Sequence, residues 1–218
     1  MKLLSLLCIG LVFGLAGCNF INTTAGVKGS GIVKTEKRSL TPFSSLDISC
    51  HGSFQVLFQE QNNLEITGDD NILPLITTEV RGDTLYIRSS KEYDPRGKLE
   101  IVVSTPNLKR FAFAGAGEAK LSNIKNEQVE IVLSGAGSLS AFGETKEADI
   151  TLSGAGSVDA KDLHATNAKV NSTGVGSVDI YATGKLDAKT SGIGEINYYG
   201  SPKSVNKQAG GIGEINER

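Results

Sequence analysis

The stretch Leu152-Ser153-Gly154-Ala155-Gly156-Ser157-Val158-Asp159-Ala160 recurs with little change through the C-terminal half of the chain. Its first glycine has counterparts at five other positions, which are Gly115, Gly135, Gly174, Gly192 and Gly211. Successive copies are 20, 19, 20, 18 and 19 residues apart. A nearly fixed period in this range is typical of stacked repeat units, none of which can bury its own apolar face alone.

Apolar and polar residues alternate on both sides of each glycine corner. Before Gly154, the apolar Ile150 and Leu152 flank Thr151, and after it Val158 precedes Asp159. This alternation predicts a half-buried β-strand on each side of the corner. Glycine suits the corner because it reaches positive φ without a Cβ penalty. We therefore read each unit as a strand, a glycine corner, a second strand and a second turn.

No helical pattern interrupts the repeats, which decides the expected fold class. A repeat of about 19 residues that returns to an equivalent strand without a helix predicts one coil of a solenoid. Neighbouring coils would lie about 4.8 Å apart, so six coils would form a rod roughly 30 Å long. We predict an all-β fold, namely a right-handed parallel β-solenoid preceded by an N-terminal lobe of β-strands.

The N-terminus has the pattern of a bacterial lipoprotein signal. Lys2 precedes a short apolar run, which ends in Leu15-Ala16-Gly17-Cys18. The run is too short for a permanent membrane-spanning helix. Leu-Ala-Gly-Cys resembles a lipobox, in which the cysteine becomes the lipidated N-terminal residue. We predict a signal peptide over residues 1–17 and acylation of Cys18, palmitate included, with an ordinary signal peptide as the alternative.

The remaining chain divides into a tether and one domain. Residues 18–42 are rich in small polar residues and are expected to form a flexible tether behind the lipidated cysteine. Residues 43–216 are expected to form a single β domain, with N-terminal strands over 43–110 and the repeats over 111–216. Short strands are predicted at 45–49, 53–59, 63–68, 77–81, 84–89 and 98–104. Gly82-Asp83 predicts a hairpin turn, and Pro74 marks a turn or short helical crossing.

Several separated motifs carry a resemblance to a known family. They are Phe43-Ser44-Ser45-Leu46-Asp47-Ile48, Asp83-Thr84-Leu85-Tyr86-Ile87, Thr105-Pro106-Asn107-Leu108, the Ser-Gly-x-Gly repeats and Tyr199-Gly200-Ser201-Pro202. In this order they resemble the family called putative auto-transporter adhesin, head GIN domain, over about residues 43–216. Alanine replaces the commoner serine in Gly-Ala-Gly at 135–137 and 154–156. The resemblance implies an all-β, solenoid-like fold on exported, often lipid-anchored proteins, and it implies no catalytic residues.

Composition argues against several classes of function. The chain has 22 basic and 24 acidic residues, a balance that gives no reason to expect nucleic acid as a partner. His51 and His164 are the only histidines, so a three-histidine metal site is excluded and we predict neither metal nor cofactor. Cys50, beside His51, is expected to be a buried hydrophobe, since adjacent strand residues point to opposite faces. Arg81-Gly82-Asp83 is expected to be a hairpin turn and not a receptor motif.

The outward positions after the corners predict the most regular surface, which is the candidate binding face. Its members are Asp159, Asp179, Glu195, Asn197, Glu214 and Asn216. Such a face could hold an extended glycan or peptide, although a merely solvated ladder is the simpler interpretation. A structural calcium site at Asp159 and Asp179 is a weaker alternative, because most copies lack the aspartate.

The leading hypothesis is a non-enzymatic lipoprotein of the cell envelope, most simply the outer membrane, that presents the solenoid for adhesion or binding. The ligand would be a glycan or an envelope protein. The alternatives are a periplasmic factor in envelope assembly or signalling and, less favoured, an enzyme acting on polysaccharides, which the absence of tryptophan argues against. A cluster of Tyr181, Tyr198 and Tyr199 would favour ligand binding. An uncapped last coil over residues 209–217 would favour oligomers through the solenoid ends.

Overall fold

The computed structural model describes residues 26–218, and the predicted signal peptide and Cys18 therefore lie outside the described residues. This part of the chain contains eighteen β-strands and a short 3-10 helix at Leu73–Leu75. The strands are β1 Val27–Lys28, β2 Val33–Arg38, β3 Ser45–Ser49, β4 Gly52–Phe58, β5 Asn63–Asp69, β6 Ile76–Arg81, β7 Thr84–Ser89, β8 Tyr93–Asp94, β9 Glu100–Thr105, β10 Arg110–Phe113, β11 Ala116–Leu133, β12 Ala136–Leu152, β13 Ala155–Ser172, β14 Val175–Ala182, β15 Lys185–Thr190, β16 Ile193–Tyr199, β17 Ser204–Ala209 and β18 Ile212–Glu217. Within residues 26–218 no helix has the length and apolar character needed to cross a membrane.

Two ladders of strands run along the stack, one on each side of the glycine corners. The first face passes from β6 through β7, β3 and β10 to the second halves of β11, β12 and β13, then to β15 and β17. The second face passes from β2 through β5, β9 and β4 to the first halves of β11, β12 and β13, then to β14, β16 and β18. All pairs are parallel except those made by β2, β5 and β6, which cover the N-terminal end. The molecule is a β-solenoid, as the period predicts.

The strands before residue 110 form coils of the solenoid and do not precede it as a lobe. β3 lies between β7 and β10, with Leu46 opposite both Leu85 and Phe111. β4 likewise lies between β9 and β11. Spatial order therefore differs from chain order, since β7 and β9 follow β3 and β4 in sequence but lie outside them. These coils join the stack because they carry the same alternation of buried and exposed residues.

The tether predicted over residues 18–42 is wrong for residues 26–42. β2 pairs antiparallel with β5 and covers an edge that would otherwise expose unpaired backbone groups. The buried carboxylate of Asp69 holds the chain just before β2, because it accepts hydrogen bonds from the Gly31 N–H (2.6 Å) and the Arg96 N–H (2.9 Å). The predicted tether is thus reduced to residues 18–25, which lie outside the described residues.

Inward side chains form continuous buried columns. One column of the first face contains, in stacking order, Leu85, Leu46, Phe111, Ile131, Ile150, Val170 and Ala188. Burying one such side chain of valine size or larger stabilises the fold by about 1.5–3 kcal/mol. Each member is covered by the members above and below it, so the coils depend on their neighbours for their core.

Glycine fixes the corner because successive corners lie almost in contact. A Cβ atom placed on Gly156 would lie 1.9 Å from the carbonyl oxygen of Gly137 in the coil before it. The corners are also joined by hydrogen bonds, such as that from the Val175 N–H to the Gly154 carbonyl (2.9 Å). The repeated glycines are therefore a requirement of stacking, which explains why they set the sequence period.

The last coil ends the stack with charged side chains at inward positions. Lys207 occupies the position after Ala188 in the buried column, and Glu217 lies opposite the buried Tyr198. The Lys207 ammonium lies 4.5 Å from the centre of the Tyr198 ring, and the Tyr198 hydroxyl donates to Glu217 Oε2 over 3.0 Å. Inward charges discourage another chain from extending an edge strand. Association through this end stays a prediction, and these charges oppose it.

Candidate functional site

The six predicted binding residues lie in two neighbouring columns on the second face. The first column contains, in stacking order, Asp159, Asp179, Asn197 and Asn216. In the second column, Glu195 and Glu214 follow Ser138, Ser157 and Ser177. We call these two columns the polar ladder. The register of the repeats thus brings together all six residues, while their role in binding stays a prediction.

Hydrogen bonds within the polar ladder fix its side chains. Asn197 Nδ2 donates to Asp179 Oδ1 over 3.0 Å, and Arg218 Nε donates to Asn197 Oδ1 over 3.1 Å. Lys161 Nζ lies 2.6 Å from Asp159 Oδ2, and this hydrogen bond raises the pKa of the lysine. Asn197 is only 6% exposed, which is less than its outward position predicts. A ligand would meet a surface whose carboxylates are already positioned.

A groove of about 660 Å³ lies along the first face, and no sequence feature predicted it. Two of its carboxylates are paired with cations of adjacent coils. Arg110 Nε lies 3.2 Å from Glu130 Oε2, and Lys169 Nζ lies 3.1 Å from Asp149 Oδ2. Exposed pairs of this kind contribute about 0–1 kcal/mol each. These pairs matter for the chemistry of the groove, because Glu130 and Asp149 each already have a cation as a partner.

The coils of β11, β12 and β13 bulge after their second-face strands and form a third, narrower side, whereas β14 and β16 continue without a register shift. The outward residues on this side line up, from the N-terminal coil onwards, as Lys125, Glu144, His164, Tyr181 and Tyr199. We call them the third-side column. The His164 and Tyr181 rings are 4.5 Å apart between centroids. A groove of about 690 Å³ is lined by the first three members, so aromatic rings continue the line of a polar groove.

The predicted tyrosine cluster is only partly formed. Tyr181 and Tyr199 are opposite each other on adjacent strands and are half-buried. Tyr198 is 2% exposed, because it follows Ile180 in an inward column. Strand alternation therefore separates Tyr198 from Tyr199, and His164 takes the third place in the outward cluster.

An apolar ridge lies along the glycine corners of the last coils. Val175, Ile193 and Ile212 are in register, and their exposed fractions are 53%, 55% and 77%. The earlier corners carry alanine at this position, as at Ala136 and Ala155. The row of glycine corners is therefore more apolar at the C-terminal end of the solenoid than in the earlier coils.

Cys50 is confirmed as a buried residue and does not form a nucleophilic pair with His51. It is 5% exposed, and burial raises the pKa of its thiol to about 12, so the thiolate is scarce at neutral pH. The His51 ring instead stacks on Tyr93, with 3.7 Å between centroids. A protonated, covered thiol next to a stacked imidazole offers no activated nucleophile.

Arg81-Gly82-Asp83 forms the turn of the β6–β7 hairpin, as the sequence predicts. Arg81 Nη2 donates to Glu79 Oε2 over 2.7 Å, and this hydrogen bond lowers the pKa of the Glu79 carboxyl. The Asp83 carbonyl accepts hydrogen bonds from the Ser44 and Ser45 N–H groups. The tripeptide therefore has a structural role in joining the hairpin to the next coil.

The described residues offer no obvious metal centre. Within residues 26–218, no three His, Cys, Asp or Glu side chains are grouped so that they could hold a metal ion. Of the two residues considered for calcium, Asp159 forms a salt bridge with Lys161, and Asp179 accepts a hydrogen bond from Asn197.

Comparison with known proteins identifies the family. The family described as putative auto-transporter adhesin, head GIN domain, matches residues 42–202. The chain belongs to this family. The resemblance of the separated motifs is thereby confirmed. No curated protein is similar to the chain in sequence.

Solved structures share the solenoid of this family. A putative adhesin from Bacteroides fragilis NCTC 9343 is 25% identical, with a TM-score of 0.75 over 88% of this chain and 100% of that chain. A putative adhesin from Parabacteroides distasonis ATCC 8503 is 19% identical, with a TM-score of 0.53 over 88% and 99% of the two chains. One from Parabacteroides merdae ATCC 43184 is 21% identical, with a TM-score of 0.50 over 88% and 98%. The last two support the fold alone.

Proposed function

We propose that this family member is a non-enzymatic lipoprotein of the cell envelope that presents its solenoid for adhesion or ligand binding. The observation that carries the proposal is the polar ladder, in which similar polar groups recur once per coil along one flat face. Solenoids use extended surfaces of this kind for recognition. The adhesin description of the family agrees with this use.

The paired carboxylates favour binding over catalysis. A polysaccharide hydrolase needs two carboxyl groups flanking the bond, one of which carries a proton at working pH. In the first-face groove, Glu130 and Asp149 are instead held by Arg110 and Lys169. Each of these two carboxylates is thus already engaged by a cation of the adjacent coil.

The N-terminal sequence supports anchoring to a membrane and limits the distance between the lipid and the folded domain. The lipobox-like sequence at Leu15–Cys18 supports acylation of Cys18, and several acyl chains on one cysteine would anchor the chain stably. Because Gly26 already belongs to the described fold, the Cα atoms of Cys18 and Gly26 can lie at most about 28 Å apart. The short reach supports the second candidate function, a factor that contacts another protein of the envelope.

Attachment of cells tests the role of the polar ladder. Cells displaying the full chain are compared with cells displaying the double variant Asp159→Asn, Asp179→Asn, at equal abundance on immunoblots. We expect attachment to a surface coated with mucin glycoprotein to fall by about tenfold or more, because the variant removes both aspartate carboxylates of the ladder. The matched control is Asp149→Asn, Asp187→Asn, which removes two carboxylates from the first face. Equal attachment of all three strains, or an equal loss in both variants, would contradict a role for the ladder.

A further inference from the structure

We propose that the third-side column is a separate binding site for a neutral, extended glycan. The site combines the His164, Tyr181 and Tyr199 rings with the adjoining groove of about 690 Å³. This inference rests on the proposed function only in taking the chain as a binding protein, because none of its residues belongs to the polar ladder, although Tyr181 and Tyr199 lie two residues beyond Asp179 and Asn197 on the same strands.

The aromatic rings form a rigid stacking platform. Tyr181 packs over the backbone of the next coil, where a Cβ atom on Gly200 would lie 2.8 Å from the ring Cζ. The centroid of the His164 ring lies 4.5 Å from that of Tyr181. Half-buried tyrosines give a large, rigid contact area at a low cost in conformational entropy. Successive rungs are about 4.8 Å apart, a spacing comparable to the length of one hexose unit in an extended chain.

The groove beside the rings supplies hydrogen-bonding groups without net charge. Its wall contains Lys125, Lys146, Glu127 and Glu144, so two cations face two carboxylates. Lys146 Nζ and Glu127 Oε2 are 2.6 Å apart. Ammonium groups donate and carboxylates accept, which is what the hydroxyl groups of a sugar require. A nucleic acid or an acidic polysaccharide would call for a basic groove, and the balance of charges here favours a neutral ligand.

Calorimetric titration of the full-length lipoprotein, purified in detergent, tests the site. The neutral probes are cellohexaose and chitohexaose, and a galacturonic acid hexamer is the acidic probe. We expect at least one neutral hexasaccharide to bind, and the acidic one to bind at least about tenfold more weakly. Tyr181→Ala and Tyr199→Ala should each weaken binding by about tenfold, whereas Tyr181→Phe, which keeps the ring, should stay within about threefold.

Matched controls separate this site from the polar ladder. Tyr86→Ala removes a half-buried tyrosine from the first face and should leave the affinity unchanged. The ladder double variant Asp159→Asn, Asp179→Asn is titrated alongside to report any contribution of the ladder to this binding. Circular dichroism confirms folding, and His164→Ala provides a second test if Tyr181→Ala does not fold.

Three results would overturn the proposal. If the wild-type chain binds no neutral hexasaccharide, the column is not a neutral-glycan site, and the ladder's role in attachment is still tested separately. If binding is lost in the ladder variant but not in the tyrosine variants, the glycan belongs to the ladder and the proposed function survives. If cell attachment requires Tyr181 while no hexasaccharide binds, the column serves a protein partner.

Discussion

The variant Gly176→Ala is expected to lower the free energy of unfolding by about 3 kcal/mol or more, because it combines steric overlap with backbone strain. Gly176 has a φ of +138°, a conformation that residues with a Cβ rarely adopt. Its Cβ atom would lie 1.7 Å from the carbonyl oxygen of Gly156. Neither atom can move away without breaking the corner ladder. Thermal unfolding followed by circular dichroism should show a decrease in Tm of about 6–12 °C.

Gly97→Ala is the matched control for the corner variant. A Cβ atom on Gly97 would meet no atom within 4 Å, so its Tm should stay within about 2 °C of the wild type. If Gly176→Ala melts at the same temperature as Gly97→Ala, the glycine corners are not in contact and the stacking of the coils is wrong.

Ile150→Asp is expected to have the largest effect of any single substitution in the repeats. Ile150 is fully buried between Ile131 and Val170 in the first-face column. A carboxylate there has no partner, and an uncompensated buried charge costs about 3–5 kcal/mol. Because neighbouring coils share this column, we expect several coils to unfold together, as a loss of β-sheet signal and rapid proteolysis within residues 130–172.

The adjacent Thr151→Asp is the control, because it places the same charge on the outward side of the same strand. Its effect should stay within about 0.5 kcal/mol. Ile150→Val keeps the fold and should cost about 0.5–1.5 kcal/mol, which allows a measurement if the aspartate variant is insoluble. A destabilising Thr151→Asp together with a neutral Ile150→Asp would mean that the strand register is shifted by one residue.

Much of the solenoid could be predicted because stacking imposes local sequence rules. Alternation around Ile150 and Leu152 follows from the pleat, and glycine at 154 and 156 follows from the contact between corners. The predicted strands at 45–49 and 84–89 coincide with β3 and β7. The six ladder residues come together for the same reason, since their positions repeat with the period.

Features that occur only once in the chain, and not in every repeat, could not be predicted from the sequence period. The position of β3 between β7 and β10 depends on long-range pairing, which leaves no period in the sequence. β2 reads as a polar segment because it is an edge strand with little side chain to bury. The third-side column was missed because the bulge before His164 changes the alternation, so that His164 joins Tyr181 and Tyr199. Tyr198 points inward through the ordinary alternation of its strand.

Protease shaving of intact cells tests most directly whether the solenoid is displayed for adhesion. An antibody against residues 111–216 follows the domain in the cell pellet, a periplasmic protein controls for leakage, and permeabilised cells establish that the protease can remove the domain. The account predicts that shaving intact cells removes the signal while the periplasmic control survives. If the signal survives in intact cells and disappears only after permeabilisation, the domain faces the periplasm and the adhesion account is contradicted in favour of an envelope-internal partner.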